Sequence, residues 1–252
     1  MDGRAKESDR LAAADLAGDL VAINDDLANA LLAIVRSPGE PEPLRAKAAI
    51  SLGPVLEQTD IDGFEDPDDA PPITEQMFRN IQDSLQKLYA DDSIPKQVRR
   101  RILEASVRAP ETWHQNAIQA AYSSGDREWM LTAVFSMRFV RGFDDRILEA
   151  LKSADPEIHY EAVEAAGNWA LEASWSHMVA LVNDAATPQP LLLAAIGAVA
   201  DIRPAEARKI LADLAGSDDE EIAEAASEAI EMAEVDSDEE DDDEEDAGEW
   251  VN

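Results

Sequence analysis

The chain has no cysteine, which excludes disulfide staples, zinc–thiolate centres and cysteine nucleophiles together. Aromatic residues are scarce, at 5% of 252 positions, while apolar residues reach 45%. The core must therefore be built from Ala, Leu, Ile and Val, a composition that suits closely packed helices better than a β-sandwich. Positive charge is also in short supply. Lys and Arg number 21 against 55 Asp and Glu, a formal charge of −34. Such a balance excludes general affinity for nucleic-acid phosphates and for anionic membrane surfaces. A salt-adapted proteome produces the same acidity with no binding role at all. No stretch approaches the apolar length of a membrane span, and "MDGRAKESDRLAAADLAGDL" lacks a signal-peptide core. The expectation is a cytoplasmic protein without membrane or nucleic-acid partners.

Chemistry-bearing motifs are missing too. There is neither a phosphate-cradling glycine loop nor a nucleophile elbow. With three histidines, a His-rich metal centre is not expected, and no metal or cofactor is assigned. His159 lies on a helical stretch with Glu157, Glu161 and Glu164, but the glutamates form their own row and read as a solvated face. The insert "DIDGFEDPDD" is rich in carboxylates. Counted from Asp60, however, it carries Glu65 and Pro71 where a calcium loop needs glycine and glutamate. Carboxylates are abundant enough to leave a hidden catalytic pair open, yet no spacing singles one out.

What is present is repetition. In "LRAKAAISLG" apolar residues fall at Leu44, Ala48 and Leu52. From Ile158 the same frame gives Ile158, Ala162 and Ala166, and both copies end on glycine, Gly53 and Gly167. The frame recurs from Val98, Trp129, Pro190 and Ile222. Its second apolar position is held by Ala48, Ile102, Ala133, Ala162, Ala194 and Ala226, at separations of 54, 31, 29, 32 and 32 residues. Cap signals precede the copies: Asp155-Pro156, Thr187-Pro188, Asp126, Asp219, and Ser93 before Pro95. A second amphipathic run follows each first helix. The pattern predicts helical hairpins of about thirty residues, each unable to bury its apolar face alone. Two further helices are expected near residues 9–22 and 25–36. An acidic loop is expected over 58–73, where "QTDIDGFEDPDDAPPI" is rich in Asp and Pro. Ten of the eleven residues 236–246 are acidic, a run whose self-repulsion predicts a disordered tail over 236–252.

The hairpin pattern resembles the HEAT-repeat family, and in particular its short bacterial, phycobilisome-lyase-type version with a "DP…(I/V)…A…A-(L)-G" first helix. The resemblance covers roughly residues 40–235. It implies an all-α solenoid of stacked hairpins over residues 1–235 followed by the acidic tail. It is nearly silent on activity, because such repeats carry adaptors, scaffolds and a few enzymes. Deoxyhypusine hydroxylases, HEAT-like enzymes, bind iron through His-Glu dipeptides. Here the histidines are followed by Gln115, Tyr160 and Met178, so that activity is not carried over. A glycosylase relative would need a broad basic face, which is absent.

One window departs from the acidic background. Between Ile94 and Arg146 nine basic residues face six acidic ones, interleaved with Trp113, His114, Tyr122, Trp129, Phe135, Phe139 and Phe143. Arg beside Trp and Tyr is the composition of binding hot spots. The expected function is a non-enzymatic adaptor or scaffold that binds another protein along its repeat surface. The expected contacts are Arg99, Arg100, Arg101, Arg108, Trp113, His114, Arg138 and Arg141. The competing reading of the same window has Trp129 and Phe135 filling the core and the arginines paired with neighbouring acids. The alternatives for function are a HEAT-like enzyme of the phycobilin-lyase type and an acidic chaperone for basic proteins. The tail is a further candidate, folding back to compete with an acidic partner for the arginines.

Overall fold

In the computed structural model, residues 6–19, 23–65 and 71–247 are described, the last described side chain being Glu234. The described residues form fourteen α-helices and one 3-10 turn, with no strand among them. No helix among them is long and apolar enough to cross a membrane. The chain divides into two compact units, Met1–Val140 and Arg141–Asn252.

The first unit contains α1 (Glu7–Asp19), α2 (Asp25–Arg36), α3 (Glu42–Ile50), α4 (Gly53–Asp62), α5 (Glu75–Ala90), α6 (Lys96–Ser106), α7 (Trp113–Tyr122) and α8 (Arg127–Ser136). The first helices of successive frames pack in order, α3 on α6 and α6 on α8. Helices α1 and α2 close the near end against α3, and α5 lies between α2 and α6. Leu31, Leu32, Leu44, Leu52, Leu56, Ile81, Leu85 and Ile102 are fully buried. This is the aliphatic core that the shortage of aromatics requires.

The second unit contains α9 (Asp144–Ala150), α10 (Pro156–Asn168), the 3-10 turn (Glu172–Ser174), α11 (Trp175–Asn183), α12 (Gln189–Ile202), α13 (Pro204–Ala215) and α14 (Glu220–Ala247). The same order holds within it: α10 packs on α12 and α12 on α14. Small residues make the close approach possible. A methyl group on Gly167 would lie 3.0 Å from both Cα and Cβ of Ala198 on α12. Of the recurring frame residues, Ala48, Ile102, Ala133, Ala162 and Ala226 are fully buried. Ala194 is only half-buried, and Ala195 and Ala198 take the interior of α12 instead.

Three cap signals work as expected. Asp126 accepts from the amides of Glu128 (3.0 Å) and Trp129 (3.2 Å), Asp155 from Glu157 (3.1 Å), and Asp219 from Glu221 (3.1 Å). Two do not. Thr187 donates its hydroxyl back to the Leu181 carbonyl (2.8 Å), so that Pro188 is the cap residue of α12. At α6 the cap residue is Pro95, without a side-chain bond. The expected loop over 58–73 also begins later. Helix α4 continues to Asp62, held by buried Leu56 and Thr59, and ends on Gly63 at φ 67. Residues 66–70 of that loop lie outside the described residues. So do residues 248–252 of the expected disordered tail and the side chains beyond Glu234, while the backbone of α14 is helical to Ala247.

Candidate interaction surface

Four helices of the first unit bring one aromatic cluster together. Helix α5 contributes Tyr89 near its C-terminus, α6 contributes Arg99, and α7 begins with Trp113. Trp129 lies in the first turn of α8, set by the Asp126 cap. The Tyr89 ring lies 5.2 Å from that of Trp113 and 6.2 Å, edge-on, from that of Trp129. Arg99 caps the group, with its guanidinium carbon 5.3 Å from the Tyr89 centroid and 5.9 Å from that of Trp129. It is anchored there by Nε donating to the Tyr89 carbonyl (2.8 Å) and Nη1 to Asp92 (2.8 Å). All four side chains are half-buried. Burial pushes the Tyr89 hydroxyl above its ordinary range, and the Arg99 charge partly offsets this. A half-buried ring keeps one face for a partner at little extra cost in ordering, which is why such groups dominate binding energy.

The remaining expected contacts separate. Arg100 is interior, 5% exposed. It donates to Thr132 (2.9 Å), Gln97 (3.0 Å) and Glu128 (3.2 Å). The Thr132 hydroxyl in turn donates to buried Glu104 (2.6 Å), which also pairs with Arg101. This network ties α6 to α8. His114 is interior as well, fully buried. Its Nδ1 accepts from the Glu111 amide (2.8 Å), so the ring carries its proton on Nε2, 3.0 Å from the Ser106 hydroxyl. Desolvation pushes its pKa down to about 4, so the ring is neutral near pH 7. Neither residue reaches a partner directly, because each spends its polar atoms inside the unit.

Arg108 pairs with Glu57 and lies over the Phe139 ring (5.1 Å). Arg138 lies over the adjoining Phe135 ring (5.8 Å), and the two rings are 5.5 Å apart. These four make a second arginine–aromatic group of the first unit. Arg141 belongs to the second unit, with its guanidinium carbon 4.2 Å from the Trp169 centroid. Trp129 and Phe135, read as core candidates, are both half-buried rather than interior. Much of the window's positive charge is met by nearby acids: Lys96 by Asp126 and Glu128, Arg99 by Asp92, Arg146 by Glu149.

Two features are not evident from the sequence. Tyr89 precedes the window, and only its place at the end of amphipathic α5 signals it. The other is His159 of α10, whose Nε2 lies 2.8 Å from Nε2 of His177 on α11, with ring centroids 5.0 Å apart. The two nitrogens face each other tip to tip, one donating a proton and the other accepting it. The two lie eighteen residues apart, on α10 and α11, and no sequence signal pairs them. Among the described residues, no group of three or more His, Asp or Glu could hold a metal ion. No family model matches the chain, and no curated protein matches it.

Proposed function

We propose that this protein is a non-enzymatic, cytoplasmic adaptor built from HEAT-like helical hairpins, and that it holds a partner protein through the cluster of Tyr89, Arg99, Trp113 and Trp129. The observation that carries this reading is the gathering of three half-buried aromatic rings, two of them under one anchored guanidinium, drawn from four helices of the first unit. The ordered packing of first helices within each unit supports the repeat reading. Arg108 and Arg138, with Phe135 and Phe139, form the secondary contact.

The test is affinity capture from native lysate with quantified recovery. The full chain is compared with Trp113→Ala, Arg99→Glu and a control, Arg146→Glu, whose residue lies in the basic window but outside the cluster. Arg100 and His114 are left intact because they are interior. The expected outcome is a partner retained by the full chain and the control, and recovered about tenfold less by the two cluster variants. Equal recovery by all four proteins would remove the cluster from the reading.

A further inference from the structure

The second unit carries a polar contact that the adaptor reading does not use. His159 on α10 and His177 on α11 meet Nε2 to Nε2 at 2.8 Å, with ring centroids 5.0 Å apart. Neither ring has another polar partner among the described residues. Both rings are half-buried, and the two helices that they join each pack on α12. Between the helices the chain turns on Ala170, whose φ of 45 is the one positive value at a residue other than glycine among the described residues. The Ala170 amide donates to the Gly167 carbonyl (2.7 Å) and the Leu171 amide to that of Ala166 (2.9 Å), a helix ending that ordinarily places glycine where Ala170 stands. Backbone strain of this kind persists only where surrounding contacts hold it. The histidine pair, which ties the helices on either side of the turn, is one such contact.

Two imidazoles in this arrangement count protons. When both are neutral, one Nε2–H donates and the other Nε2 accepts. The donating ring has a bare Nδ1, which takes a first added proton while the bond stays intact and becomes charge-assisted. A second proton has only the accepting Nε2 left. Two N–H groups and two positive charges then face each other, and the bond is gone. Burial pushes both rings below their ordinary 6.5, and His177 lowers His159 further, as a closed contact that disfavours protons requires. Charged neighbours do not offset this. The α10 carboxylates Glu157, Glu161 and Glu164 act on neither ring. Nor do Asp144, Asp145 and the Arg146–Glu149 pair of α9, Glu172 of the 3-10 turn, which pairs with Arg203, or Asp201 of α12. Helix α11 itself has no Asp, Glu, Lys or Arg.

We propose that the His159–His177 pair is an acid-opened latch on the strained α10–α11 connection, closed while the pair holds no more than one added proton and opened by the second. The closed latch binds fewer protons than the open one, so its contribution is complete above about pH 6.5 and is lost as the pH falls below that value. It does not depend on the adaptor reading.

The test is hydrogen exchange of the full chain, read by mass spectrometry over the amides of residues 169–175 and corrected for the intrinsic pH dependence of exchange. From about pH 7.5 down to about 4, protection of this segment should stay level to about 6.5 and then fall about tenfold. His177→Gln, whose side-chain amide can donate to or accept from His159 but takes up no proton, should match the wild type at about pH 7.5 and stay within about twofold of that value throughout. His177→Ala should exchange about tenfold faster already at about pH 7.5, with little further change on acidification. The amides of residues 192–200 on α12 are the internal reference and should remain protected in all three proteins. An acid step in His177→Gln as large as that of the wild type, or wild-type protection at about pH 7.5 in His177→Ala, overturns the latch. So does a fall that residues 192–200 share, which is general acid unfolding.

Discussion

Among single residues, His114 carries the largest titration consequence of its burial. It is a strut between the Glu111 amide and Ser106, and its folded pKa of about 4 lies below its ordinary 6.5. Between those two values the unfolded chain binds more protons than the folded one. The contribution of the neutral ring is therefore complete above about pH 6.5 and is lost as the pH falls towards 4. The full loss is about 3 kcal/mol, since a tenfold change in proton affinity is worth about 1.4 kcal/mol. Urea midpoints measured from about pH 7.5 down to 5 should stay level to about pH 6.5 and then fall, and His114→Asn, which keeps an acceptor for the Glu111 amide, should flatten much of that fall. An unchanged slope would mean that the acid sensitivity lies elsewhere. The His159–His177 pair shifts in the same direction: burial lowers both, and His177 lowers His159 further. Residue types such as these were legible in the sequence, whereas their exposure was not. Beside Trp113 in the chain, His114 looks like a contact residue. Arg99 and Arg100 are neighbours in "VRRRILEAS", yet Arg100 is interior and Arg99 only half-buried. The difference lies in which way α6 faces α8, a tertiary fact set by Thr132 and its bond to Glu104.

At the scale of elements, the recurring frame was readable because it encodes local physics. An apolar stripe at helical spacing, a small residue at a fixed point and a capping aspartate are each properties of a few adjacent residues. Helices α3, α6, α8, α10, α12 and α14 therefore fall where the frame puts them. The misplacements are equally physical. Helix α4 runs through residues that look loop-like, because Thr59 and Leu56 bury one face regardless of the acids on the other. Thr187 donates its hydroxyl to the Leu181 carbonyl at the end of α11 instead of accepting from the first amides of the helix it precedes. The glycine closing the frame has two different reasons in two copies. Gly53 is held free of a side chain by Arg108, whose Cδ would lie 2.8 Å from an added methyl, and Gly167 by the backbone of Ala198. A flexible arginine can move aside, but a packed helix cannot. Gly167→Ala should thus cost about 1–3 kcal/mol through overpacking, despite the better helix propensity of alanine. Gly53→Ala should cost less. Adding Ala198→Gly to Gly167→Ala should recover part of the loss in urea unfolding, whereas two independent, additive costs would show that the α10–α12 approach is not the cause.

At the scale of the whole molecule, composition foretold an all-helical chain but not its partition. The spacing of the frame is nearly constant from Ile102 to Ala226, whereas the chain divides into units between Val140 and Arg141. Periodicity reports what each hairpin is made of, and partition depends on how much surface neighbouring hairpins share. Charge is the other global property. Many of the scarce cations are occupied: Arg10 with Glu40, Lys47 with Asp15, Arg99 with Asp92, Arg203 with Glu172. The surplus of carboxylates is left to repel itself across the folded surface. Salt weakens both effects. Exposed ion pairs contribute about 0–1 kcal/mol each, while self-repulsion grows with the square of a net charge of −34. Repulsion should win. Raising NaCl from about 0.1 to about 2 M should therefore raise the thermal midpoint by several degrees, with most of the gain below about 1 M, where the screening length has fallen to about 3 Å. A midpoint that stays level or declines with salt would mean that the ion pairs, rather than the carboxylate excess, govern the electrostatics of the fold.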